Sequence, residues 1–195
     1  MSLDSTPTTP TTPNPTAPRH PSQPPKSPYA TLYRAFKVLD SLYLLLLGVG
    51  VGCIVACGAF AAPVVFRASS FLPELSLSDS GLLMGQIFLK CNIYFNVLAG
   101  VILVYELATF ATAPLFTHTR QRRLWLLLGG ISAMMIFLFT LYYTPYIMEA
   151  QRLNATATPE FSSMHKQSEL VFKILLFTLA GSALWRGIVG SKGRF

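Results

Sequence analysis

Residues 41–62 read SLYLLLLGVGVGCIVACGAFAA and are followed by Pro63. The stretch holds no Asp, Glu, Lys, Arg or His. A helix rising roughly 1.5 Å per residue covers a hydrocarbon core of roughly 30 Å with about twenty such residues. Inside lipid only helices and closed barrels satisfy their own backbone. Barrel strands alternate apolar and polar residues, and this run does not. The run therefore reads as a transmembrane helix over about 39–62, with Pro63 as its stop.

Behind it, residues 29–38 carry Tyr29, Tyr33, Arg34, Phe36 and Lys37, a basic and aromatic lead-in suited to the membrane interface. Residues 1–28 hold nine of the fourteen prolines and six threonines, with no apolar cluster. Such a segment buries nothing to offset its ordering entropy and reads as a disordered tail. It lacks the basic start and early apolar stretch of a signal peptide.

Ahead of it, three more apolar runs follow, at about 84–110, 124–144 and 170–190, the third run of the chain closed by Pro145. In the last, only Ile174 to Trp185 separates Lys173 from Arg186, so both charges are expected to snorkel. The fold class expected is an all-α integral membrane protein, an antiparallel bundle of four helices over 39–190 with residues 191–195 as a tail. Composition agrees. Of 195 residues, 52% are hydrophobic and 12% charged, against about 25% charged in a soluble domain. Three cysteines exclude a disulfide framework. The net charge of +7 sits beside the apolar runs rather than on a soluble face, which points to a lipid bilayer and not to nucleic acid as partner.

Loop charge sets the orientation. The N-terminal segment, the loop after the second run and the C-terminal end hold ten Lys and Arg, against four on the opposite side, with Lys90 apart. The positive-inside rule then places both termini in the cytoplasm of a cell-membrane protein. An even number of spans is the count that makes every loop agree.

Several groups could carry function. Gly48, Gly52 and Ala56 are spaced by four and, with Gly85 of the second run, form a small-residue face for helix packing or a homo-oligomer. Lys90, Asn92, Asn96 and Glu106 make the second run the most polar. At 100° per residue, Asn92, Asn96 and Glu106 share one side and Lys90 the other. Intramembrane charges of this kind are the usual candidates for an ion or substrate path. Cys53 and Cys57 are one turn apart, and Cys91 falls at a similar depth on the second run. Together they could hold Cu(I), with Met84, Met134 and Met135 nearby. Each thiol is also accounted for as a small apolar residue, so no metal and no cofactor is assigned. No histidine lies mid-span to ligate haem, and no catalytic motif or acid–base cluster emerges. Asn154-Ala155-Thr156 fits a glycosylation acceptor.

The turn after the first run reads GAFAAPVVFR over residues 58–67, and the second run opens SGLLMGQIF over 80–88. These stretches, with Pro63, Phe66 and Phe88 at their centre, resemble the transmembrane-protein-205-like family across roughly residues 38–190. The resemblance implies a small four-helix membrane domain; the turn reads first as a structural corner and second as the place of any shared function. The reading that follows is a non-enzymatic multi-pass membrane protein that scaffolds through its glycine face. The alternative is a small transporter or ion-handling protein using the polar second run, and a membrane redox enzyme comes last.

Overall fold

The computed structural model describes the backbone of residues 28–112 and 119–192 and the side chains of 34–111 and 123–188. The expected tail over 1–28 lies outside them apart from Pro28, as does most of 191–195. Contacts divide the chain after Phe36. Residues 28–36 are helical, and the packing described below concerns Lys37 onward.

Every regular element among the described residues is helical. The first helix, α1 (Pro28–Val55), passes through a π-helical turn (Ala56–Ala61) into α2 (Ala62–Phe66). After a short 3₁₀ turn (Ala68–Ser70) comes α3 (Leu77–Thr112). The next rod is α4 (Thr119–Phe137), a second π-helical turn (Leu138–Tyr143) and α5 (Thr144–Arg152), and α6 (Pro159–Lys192) completes the bundle. Four stretches are long and apolar enough to cross a membrane: Arg34–Ser70, Leu77–Ala111, Arg123–Arg152 and Pro159–Ile188. The protein is thus an all-α bundle of the multi-pass membrane type. One end carries the α2–α3 and α5–α6 turns and is called the turn end here. The other is the terminal end.

Local sequence explains where the helices start and stop. Ser76 and Asp79 form a capping box at α3. The Ser76 N–H donates to Asp79 Oδ2 at 3.0 Å, and the Asp79 N–H donates to Ser76 Oγ at 3.1 Å. Thr158 caps α6 through its Oγ1, which accepts from the Phe161 N–H at 3.2 Å, with Pro159 in the first turn where no donor is needed. Asn154 ends α5 at φ 54°, the left-handed position that Asn tolerates. The flanking bonds, Asn154 N–H to Gln151 O and Ala155 N–H to Ala150 O, complete a Schellman turn.

The two prolines expected to stop their helices do not. Proline lacks the N–H that would close an α-helical ring and its own ring crowds the carbonyl four residues back. Here each proline stands second in a new α segment, behind a turn that reaches one residue further. The Ala62 N–H bonds to Cys57 O before Pro63, and the Thr144 N–H bonds to Phe139 O before Pro145. The Thr144 hydroxyl also donates to Phe139 O at 2.9 Å. Both helices therefore continue, widened, past their prolines.

The core runs the length of the bundle through Tyr43, Leu47, Phe95, Leu98, Ile102, Ile136, Leu175 and Leu179, each at most 2% exposed. Gly50 lets α1 approach: a Cβ there would stand 2.8 Å from Leu98 Cδ2 and 3.5 Å from Leu179 Cδ1. Nearby, the Tyr94 hydroxyl donates to Leu46 O at 2.6 Å. Outside, Leu45, Ile93, Val97, Val104, Leu141, Phe177 and Leu184 are all more than 60% exposed. A surface this apolar is a liability in water and the natural surface in lipid.

Candidate functional site

The π-helical turns of the first and third rods lie toward the turn end, and between the segments that follow them is a cavity of about 700 Å³. Its walls come from α1, α2, α3, α5 and α6. Ile54, Met84, Phe88, Phe139, Phe172 and Leu176 supply its apolar interior. Three of these rings pack on one another: Phe139 and Phe172 at 4.9 Å between centroids, Phe88 edge-on to Phe139 at 5.6 Å and to Phe172 at 5.5 Å. The polar lining is Arg67, Gln151, His165, Ser168, Glu169 and Lys173. Thus one wall set is hydrocarbon and the other is charged or hydrogen-bonding, the division an amphiphile requires.

Two polar atoms of the lining are buried with no partner among the described residues, Gln151 Oε1 and His165 Nδ1. A buried acceptor left unmatched costs of the order of 1–3 kcal/mol, so such atoms in a cavity wall mark where a ligand donor fits. The other nitrogen of His165 faces Glu169, with Nε2 3.4 Å from Oε1. Its ring stacks on Phe161 at 5.8 Å and 9° between planes. Glu169 also meets Lys173 at 3.4 Å. Gly81 and Gly85 bring α3 against α5: a Cβ on Gly85 would stand 2.7 Å from Met148 Sδ and 3.0 Å from Gln151 Oε1. Glycine at this position keeps the Gln151 amide on the cavity wall.

Of the turn that resembled a known family, Pro63, Phe66 and Phe88 all line this cavity, as does Gly85. The other expected groups lie elsewhere. Gly48, Gly52 and Ala56 face outward, and a Cβ on either glycine meets nothing within 4 Å. The four polar residues of α3 are not brought together, and none of them lines the cavity. Lys90 is exposed on the lipid side. Asn92 is buried with its Oδ1 unpartnered. Asn96 accepts from Thr140 Oγ1 at 2.7 Å in a helix–helix contact.

Glu106 belongs to a separate cluster at the terminal end. One guanidinium nitrogen of Arg186, Nη2, lies 2.6 Å from both carboxylate oxygens of Glu106, and both side chains are 2% exposed. Asp40 Oδ1 stands 3.6 Å from Arg186 Nη1. Tyr43 donates to Glu106 Oε1 and Tyr105 to Asp40 Oδ1, each at 2.8 Å. The two phenol rings stack at 4.0 Å, and the guanidinium carbon is 5.0, 5.3 and 4.4 Å from the Tyr43, Tyr105 and Trp125 rings. This corrects the expectation that Arg186 snorkels. A carboxylate and three aromatic faces inside the bundle are a better solvent for it than the interface. Counting Arg186 as a loop charge hid the pair. Equal depth would have disclosed it, since Glu106 and Arg186 each stand six residues before the ends of α3 and α6. Cys53, Cys57 and Cys91 do converge, between α1 and α3.

With the geometry in place, comparison with known proteins adds one result. A family model described as a domain of unknown function, DUF4149, matches residues 45–156. The chain belongs to the DUF4149 family. No curated protein and no solved structure matches it. The DUF4149 match takes in both π-helical turns, the cavity walls from α1 to α5 and the three cysteines. The cavity lining from α6 and the Arg186 of the ion cluster lie beyond it.

Proposed function

We propose that this DUF4149 protein is a non-enzymatic membrane receptor or carrier for an amphiphile, held with its chain against Phe88, Phe139 and Phe172 and its head at the turn end. The observation that carries this reading is the pairing of a large apolar cavity with two unmatched buried polar atoms in its wall, Gln151 Oε1 and His165 Nδ1. The head that fits bears hydrogen-bond donors, and Arg67, Glu169 and Lys173 would meet a zwitterion with both signs of charge. The two π-helical turns support the reading, because such turns are frequent at functional sites and here they border the cavity. The narrower kinship with the transmembrane-protein-205-like family is part of this proposal and rests on the sequence around Pro63, Phe66 and Phe88.

The test is retention of ligand. Protein extracted in mild detergent or native nanodiscs should release a stoichiometric amphiphile, seen by mass spectrometry. Ile147→Trp, which fills the cavity from α5, should cut that amount about tenfold while gel filtration and helicity stay unchanged. Equal release by wild type and Ile147→Trp would end the reading.

A second reading rests on a different observation. The outward Gly48–Gly52–Ala56 face is open, and in lipid small residues let another helix approach closely. It supports self-association of the bundle, with scaffolding as the role.

A further inference from the structure

The chain has three cysteines, and all three meet. Cys53 and Cys57 stand one turn apart on the first rod, and Cys91 reaches them from the middle of α3. Cys91 Sγ is 3.5 Å from Cys53 Sγ and 3.4 Å from Cys57 Sγ, and the three sulfurs lie within 4.8 Å of one another. All are free thiols, with Cys57 buried and the other two half-buried. Packing as a small apolar residue accounts for each thiol singly, but not for the meeting of all three. A thiol is a weak hydrogen-bonding group, so three thiols in contact gain little that alanine or serine would not supply. A shared ligand explains why they converge.

The donor set identifies that ligand. Three sulfurs without oxygen or nitrogen select a soft cation. Zinc takes a fourth ligand in its closed sites, and among the described residues no fourth Cys, His, Asp or Glu joins the group. Cu(I) is satisfied by three thiolates. A metal–sulfur bond of about 2.3 Å places three sulfurs on a triangle with sides of about 4 Å. The contacts of 3.4 and 3.5 Å and the upper limit of 4.8 Å straddle that triangle. Small side-chain rotations convert one into the other.

Backbone architecture supports the placement. Cys57 lies in the first π-helical turn, and its carbonyl accepts the Ala62 N–H that lets the helix continue to Pro63. The turn thus fixes the direction of Cys57 relative to Cys53. We infer that Cys53, Cys57 and Cys91 form an intramembrane site for a single Cu(I) ion bound by three sulfurs. Copper stays in the +1 state on binding. Each thiol that becomes a thiolate releases one proton, and no oxidant takes part. This inference is independent of the amphiphile cavity, whose lining includes none of the three residues.

The experiment uses the full chain in nanodiscs, reduced and anaerobic, titrated with Cu(I) against a chromophoric chelator. One Cu(I) per chain is expected, with an X-ray absorption spectrum of three sulfur neighbours. Cys91→Ser removes the central ligand. It should weaken binding by more than the roughly 10–100-fold that loss of an outer-shell partner costs. Helicity and gel filtration report whether that variant folds. A second readout needs no variant: copper should shield the half-buried Cys53 and Cys91 from iodoacetamide together, Cys57 being buried already. The inference is overturned if Cys91→Ser competes as well as wild type, or if copper fails to shield both Cys53 and Cys91. It also falls if the reduced protein binds no copper.

Discussion

Glu106 and Arg186 form an ion pair buried inside the bundle. Separately, either charge at this depth would demand water that the bundle excludes. Together they neutralise one another, with Tyr43 occupying a further lone pair of the carboxylate. Gly129 belongs to the same arrangement, because a Cβ there would stand 2.6 Å from Glu106 Cγ. Replacing a buried pair by matched apolar groups is often harmless, whereas removing one partner leaves an uncompensated charge at a cost of about 3–5 kcal/mol. Asp40 is the residual partner of Arg186, at 3.6 Å and with its side chain 41% exposed, so it offsets only part of the loss. Glu106→Gln should therefore lower stability by about 3 kcal/mol in reversible detergent unfolding, a figure set by the lower end of that range. Arg186→Met added to Glu106→Gln should recover most of it. A single variant as stable as wild type would show that the pair carries no weight.

Three of the four helices were legible because their apolar runs exceed what a soluble core needs, and lipid leaves the backbone few choices. The fourth, with Ile174 to Trp185 between two charges, was legible through the even count the loop charges require. The burial of Asn92 and Glu106 with Lys90 outside follows from the same 100° wheel. What a wheel cannot show is register beyond a proline. Pro63 and Pro145 read as stops because α-helical hydrogen bonding fails there, yet a single wider turn restores the bonding and keeps the helix going. The cavity is a product of those turns, so it too was illegible, apart from the prolines and aromatics that mark its wall. On α1 the same periodicity splits the glycines by function. Gly50 is consumed by contact with Leu98, while Gly48 and Gly52 meet nothing. If the open face binds a second copy, Gly52→Leu should reduce crosslinked dimer in detergent about tenfold, equivalent to about 1.4 kcal/mol. Gly100→Leu on α3, where a Cβ also meets nothing, should leave it unchanged. Equal crosslinking in all three proteins removes the support for self-association.

For the molecule as a whole, the positive-inside rule predicts the direction in which the bundle sits in its membrane. Four crossings would put both termini on one side, whichever side that is. The structure alters the charge count that selects it. Arg186 is committed to Glu106 inside the bundle, so it no longer attracts the anionic surface, and nine of the ten Lys and Arg counted from the sequence on the side of the termini remain. At the turn end Arg67 and Lys173 line the cavity but stay exposed, so all of the original four still count. Arg152 is itself paired with Glu149 at 2.6 Å. Each basic residue near an anionic leaflet contributes about 1 kcal/mol, so the revised count, nine against four, still predicts a cytoplasmic terminal end, by one residue less than the loop tally. Reporters fused to the N-terminus and the C-terminus should both give cytoplasmic signals. In a glycosylating host, exposed Asn154 of the α5–α6 turn should acquire a glycan from the opposite side, and Asn154→Gln should abolish it. Signals from different compartments would contradict the four-crossing bundle. Two signals from the far side would instead show that loop charge does not set its direction.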